Sequence, residues 1–214
     1  MADAEQAARE RPILFNGAMV RAILAGQKTQ TRRVVKGHAL EWLDKAQFTP
    51  ECVASPGNDL CPFGQAGERL WVRETHAIFP THGQHRSDGE RWGPWGGLPT
   101  TLSPMGGEIA YYREGFDRCD PGRWRPSIHM PRWACRLLLE ITAVRVERLQ
   151  AITEVDAVAE GLFQTESGNW LPGPCDHPEW AFHQLWAQVY GEPAWKANPW
   201  VWVIEFERVE VAGG

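Results

Sequence analysis

Ala22-Ile23-Leu24-Ala25-Gly26-Gln27-Lys28-Thr29-Gln30-Thr31-Arg32-Arg33 takes the chain from an apolar helix to a charged strand in twelve residues. Met19, Val20, Ile23 and Leu24 recur at helical spacing over 18–25, and Gly26 sits where a helix-ending glycine is expected. The β-branched content of 29–35 then predicts a strand. A lysine near a threonine hydroxyl suits base and nucleophile, and adjacent arginines suit an anionic or planar polar ligand. The same residues also fit a polar edge strand with solvated cations, so the rest of the chain has to decide.

Upstream, 11–16 reads as a buried strand closed by Asn16-Gly17, and 1–10 as a flexible tail. Downstream, a Pro/Gly turn (61–68) feeds an alternating strand at 69–75, after an irregular stretch from residue 36. Residues 80–107 hold eleven Gly or Pro in twenty-eight positions, which predicts a long loop or insertion, with Trp92 and Trp95 favouring a lid. Strands are expected at 108–113, across 134–149 (one bent strand or two) and at 200–207. Helices are expected at 153–161, opened by Thr153 with Glu154 and Asp156, and at 178–190.

At 214 residues the chain can bury a sizeable core, and 23% charged with 43% hydrophobic residues is the balance of a soluble globular protein. A net charge of -5 argues against a general polyanion binder, because such binding comes from phosphate neutralisation. The sequence shows neither a signal peptide nor a run of about 18 apolar residues, so a cytoplasmic protein without membrane contact is expected. Five cysteines, an odd number without a CxxC pair, suit reduced thiols. Cys52, Cys61, Cys175 and His177 have the ligand types of a structural zinc, but their spacing is irregular, and no metal or other cofactor is assigned. The common nucleotide-binding and hydrolase motifs are missing.

The 22–32 stretch resembles the signature of the ASCH domain family, in which a short helix is followed by a G-x-K-T-x-T-x-R strand. Gly67-Glu68-Arg69-Leu70-Trp71-Val72 is similar to that family's G-D-x-L-x-V strand, and 201–206 to its closing I-E-F strand. The resemblance implies an α+β fold: a PUA-like β-barrel with helices packed on it, here one domain over 11–210 with a Gly/Pro-rich insertion at about 77–127. It also implies an amidohydrolase that releases the N4-acyl group of cytidine-type nucleosides, with a small nucleoside as the partner. By the same resemblance Lys28 is the base, Thr31 the nucleophile and Glu160 the acid, since Glu160 lies six residues after Ile152-Thr153-Glu154. Glu154 competes with Glu160 but suits a helix start better.

The chemistry sets conditions. A lysine base needs a lowered pKa, and Arg32 and Arg33 are placed to help lower it; a glutamic acid needs the opposite shift. Lys28 and Thr31 are three apart, so a regular strand would put them on opposite faces. Arg33, Trp71, Glu74 and Phe163 are the expected wall for a pyrimidine. His129, Met130 and Arg132 are read as surface packing. The alternatives are a non-catalytic RNA-binding module or a ribonuclease using the same cleft.

Overall fold

A computed structural model describes residues 8–45, 47–85, 91–118, 122–173 and 175–210. The first third of the chain carries β1 (Glu10–Leu14), α1 (Gly17–Leu24), β2 (Gln30–Val34), α2 (His38–Leu43) and α3 (Pro50–Ala54). The middle carries β3 (Arg69–Arg73), β4 (His76–Pro80), β5 (Gln84–His85), β6 (Arg91–Trp92), β7 (Thr100–Leu102) and β8 (Glu108–Tyr112). The last third carries β9 (Leu138–Arg148), α4 (Glu154–Ala159), α5 (Pro178–Tyr190), α6 (Glu192–Lys196) and β10 (Trp200–Val209). The fold is mixed α+β, and no helix among the described residues is long and apolar enough to cross a membrane.

Two compact units are built from interleaved segments. The first comprises Met1–Arg9, Ala22–Arg69 and Glu140–Glu207. In it β10 runs between β9 and β2, and its antiparallel register with β2 pairs Val203 with Arg32, Ile204 with Thr31 and Glu205 with Gln30. One face of this sheet, through Val34, Val201 and Val203, packs on Ala157 of α4 and on Ala181, Phe182 and Trp186 of α5. Each large side chain removed from water there contributes about 1.5–3 kcal/mol, which holds the short α4 in place where propensity alone would not. Helix α5 starts on Pro178, whose missing N–H costs nothing in a first turn, and stops at Gly191.

The second unit, Glu10–Arg21, Leu70–Leu139 and Arg208–Gly214, contains the sheet β4–β8–β7, the β5–β6 pair, and β1 beside β3. Trp95 packs edge-on against Phe79, Tyr111 and Phe116, and its backbone N–H donates to the Tyr111 hydroxyl at 2.8 Å.

Several expectations change. The 80–107 stretch is not one structureless loop: β7 pairs with β8, and the glycines and prolines punctuate short hairpin strands. Trp95 belongs to an aromatic core, which replaces the lid reading for that residue; the Trp92 side chain lies outside what is described. Residues 36–68 also hold the short helices α2 and α3, which no apolar period announces. One of them is set by a local cap, Thr49 accepting from the Cys52 N–H with Pro50 in the first turn. No closed barrel forms among the described residues, because neither β9–β10–β2 nor β4–β8–β7 closes on itself. Residues 1–7 of the expected tail lie outside the described residues, and Glu10 already belongs to β1.

Candidate active site

The site is built where two chain segments lie side by side. Helix α1 ends through Gly26, whose φ of 70° suits a residue without Cβ, and Gln27 and Lys28 donate their N–H groups to Ala22 O at 2.8 and 3.1 Å. Lys28 then forms an antiparallel bridge with Glu160, flanked by Thr29 N–H to Ala159 O at 2.9 Å. Glu160 arrives there on α4, which Thr153 opens with a capping box: its hydroxyl oxygen accepts from the Asp156 N–H, and Asp156 accepts from the Thr153 N–H. Gly161 ends the helix at φ 94°.

Gly161 is required twice over. A Cβ there would stand 2.9 Å from Lys28 Cβ, on backbone held by the bridge, and 3.0 Å from Ala22 Cβ, in the last turn of α1. Gly161→Ala is therefore expected to cost about 1–2 kcal/mol from the left-handed backbone, plus the clash. A denaturant midpoint unchanged from the wild type would show that the Lys28–Glu160 alignment tolerates movement.

The ammonium of Lys28 donates to Gln30 O at 2.7 Å, to Glu160 O at 2.8 Å and to Glu160 Oε2 at 2.8 Å. Three acceptors match its three N–H groups. Arg32 Nη1 donates to Glu160 Oε1 at 3.1 Å, while its Nη2 reaches Glu147 Oε1 and lies 3.3 Å from Asp156 Oδ2. Arg145 carries the network outward, donating to Asp156 Oδ1 at 2.6 Å, to Gln30 Oε1 at 3.2 Å and to Glu205. The side chains of Lys28, Arg32 and Glu160 are 1%, 0% and 5% exposed, so these charges interact with little screening.

Burial is the strongest influence on Lys28 and pushes its pKa below the ordinary value; the Glu160 charge and hydrogen bond push back, and Arg33 and Arg32 add to the lowering. For Asp156 burial acts upward, but the Thr153 hydrogen bonds and the charges of Arg32 and Arg145 outweigh it and hold the carboxyl below its ordinary value.

Lys28, Arg32 and Glu160 are thus brought together. Thr31 is buried in β2, but strand alternation turns it and Arg33 to the face opposite Gln30 and Arg32, whose side chains join the charge network. Phe163 follows Gly161 closely and is 46% exposed. Trp71 and Glu74 belong to the second unit and have partners there. The guanidinium groups of Arg73 and Arg132 lie over the Trp71 ring, 5.3 and 5.9 Å from its centroid. Glu74 is gripped in bidentate fashion by Arg136 at 2.9 and 2.8 Å; burial raises its pKa against that pairing, and Glu114 adds to the rise.

Arg145, Glu147, Asp156 and Glu205 were not singled out as site residues by the sequence. The i, i+2 pair Arg145/Glu147 on a long strand was the available signal, since both side chains then share one face. The supposed zinc ligands are not gathered among the described residues; Cys175 Sγ accepts instead from Gln184 at 3.1 Å.

Beside the network lies an open groove of about 540 Å³, with Gln30, Thr142, Val155, Asp156, Glu205 and Phe206 among its walls. Gln30 and Asp156 belong to both groove and network, so the groove adjoins the outer part of the network. No family model matches the chain, and the searches of curated proteins and of solved structures found no match.

Proposed function

We propose that the chain is an amidohydrolase of PUA-like, ASCH type that hydrolyses the N4-acyl amide of cytidine-type nucleosides to cytidine and a carboxylic acid. The observation that carries this reading is the buried Lys28 Nζ–Glu160 Oε2 contact at 2.8 Å, made between residues 132 apart in sequence. Lysine and glutamate in direct contact can pass a proton between them. Burial favours the neutral amine of Lys28, so the pair can accept a proton at one stage and return it at another.

Hydrolysis adds a nucleophile to the carbonyl carbon, breaks the C–N4 bond and leaves the proton on N4. Arg32, held against Glu160, adds a second buried positive charge beside the lysine–glutamate pair. Two routes share this machinery. In one, the Thr31 hydroxyl attacks and gives its proton to Lys28, forming an acyl-enzyme that water later cleaves. In the other, water attacks directly with the Lys28–Glu160 pair as proton acceptor, and Thr31 only positions neighbouring groups. The opposite-face placement of Thr31 in β2 favours the second route.

The acidic character of the groove, with Asp156 and Glu205 in its walls, speaks against the RNA-binding and ribonuclease readings, because phosphate would be repelled. Ultraviolet absorbance of N4-acetylcytidine and N4-benzoylcytidine tests the proposal: the wild type converts at least one to cytidine, and no change with either removes it. Thr31→Ala retains turnover by the water route and loses it by the acyl-enzyme route.

A further inference from the structure

Glu160 is delivered by a helix too short to hold itself. Helix α4 spans six residues, and a helix of that length does not form alone in water. Asp156 ties it down with both oxygens of its carboxylate. Oδ2 accepts from the Thr153 N–H at 3.2 Å and from the Thr153 hydroxyl at 2.8 Å, and it lies 3.3 Å from Arg32 Nη2. Oδ1 accepts from Arg145 Nη2 at 2.6 Å. One turn later the Glu160 N–H donates to Asp156 O at 2.9 Å, and Glu160 Oε1 accepts from Arg32 Nη1 at 3.1 Å. Two carboxylates one turn apart on a helix repel each other, and here a single guanidinium binds both. The result is a closed ring: the Asp156 side chain, Arg32, the Glu160 side chain, and one helical turn back to Asp156. Glu147 reaches the same Nη2 from β9, and its ion pair with Arg145 stays on that strand, so it fixes the arginine without fixing the helix.

We propose that Asp156 is the positioning residue that holds Glu160 against Lys28, acting through Arg32 and the first turn of α4 rather than by touching a substrate. Without it the Thr153 cap opens, Arg32 loses one of its carboxylates, and Glu160 drifts from the lysine. The catalytic consequence rests on the amidohydrolase reading; the placement of Glu160 does not.

Two measurements test it. The first is the titration midpoint of Lys28, followed by NMR of the side-chain carbon next to its ammonium, which needs no turnover. Burial lowers the Lys28 pKa, Glu160 on α4 raises it, and Arg33 and Arg32 on β2 add to the lowering. Asp156 is not among these influences, so a change at 156 reaches Lys28 by moving Glu160. Asp156→Ala is therefore expected to lower the midpoint further. Glu147→Gln, which takes a carboxylate from the same guanidinium but leaves α4 tied, is expected to lower it less. The second measurement is kcat and KM on the better N4-acylcytidine. There Asp156→Ala should lose about 10²-fold in kcat, the scale of a 1 Å misplacement, with KM little changed. Asp156→Asn keeps an oxygen for the Thr153 N–H, so it should fall between wild type and Asp156→Ala in both measurements, and it carries the test if Asp156→Ala does not fold. A midpoint that stays put or rises in the Asp156 variants, or that falls as far in Glu147→Gln, overturns the inference whatever the kinetics. A lowered midpoint in the Asp156 variants, with no N4-acylcytidine hydrolysed by the wild type, supports the positioning role and removes the amidohydrolase reading instead.

Discussion

Glu160→Ala is expected to destabilise the protein by about 3 kcal/mol at neutral pH, at the lower end of the range for breaking a buried ion pair. The change removes the carboxylate that faces both Lys28 and Arg32, whose side chains are 1% and 0% exposed. Arg32 keeps Glu147 and Asp156, and Lys28 keeps the two backbone carbonyls, which is why the loss falls at the lower end. Exchanging the pair together, as Lys28→Met with Glu160→Leu, should recover much of it, because no unpaired lysine then remains. Urea denaturation of the two variants checks this, and equal losses in both would mean that the pairing is not what matters.

The same variant has a pH signature. Glu160 is the group that raises the Lys28 pKa, so without it the folded-state value falls further below the ordinary 10.5. Between that lowered value and 10.5 the unfolded chain binds more protons than the folded one, and stability rises with pH. The deficit of Glu160→Ala should therefore shrink as pH climbs toward 10.5. A deficit that grows over this window would contradict the burial argument for Lys28.

Elements with a strong local pattern were legible in the sequence, and those made by distant pairing were not. The expected helix at 178–190 matches α5, because Pro178 and Gly191 mark its ends chemically. The strand at 200–207 matches β10 apart from its end, which runs on to Val209. By contrast β7 has only Thr100-Thr101-Leu102, and nothing local separates that from a loop; pairing with β8 makes it a strand. At the site, Lys28 and Glu160 were reachable through the resemblance of a short motif and the register of one helix. The partners that complete the network sit on β9 and β10, and only folding brings Arg145 to Asp156 and Glu205. Trp71 and Glu74 looked like wall residues because a tryptophan beside a carboxylate suits a base. Arg73 beside Trp71 is local, but Arg132 over the same ring and Arg136 on Glu74 come from far along the chain.

Lys28→Arg is expected to lower kcat by about 10²–10⁴, the usual worth of a positioned acid–base group. Arginine keeps the positive charge opposite Glu160, so loss of the ion pair would not explain the effect; what it cannot do is give up a proton near neutral pH. In the wild type, activity should rise with pH as Lys28 becomes neutral, with a midpoint below the ordinary lysine value of 10.5. Arg33 supplies a test that a purely structural lysine would fail, since its charge is one of those pushing the Lys28 pKa down. Removing that charge in Arg33→Gln lets the pKa rise, so the rising limb of the profile moves to higher pH while the plateau persists. The measurement is kcat against pH for wild type, Lys28→Arg and Arg33→Gln on the better N4-acylcytidine. A limb that stays put in Arg33→Gln, or moves to lower pH, would mean that the titrating group is not Lys28, and the proton-transfer role would have to pass to Glu160 alone.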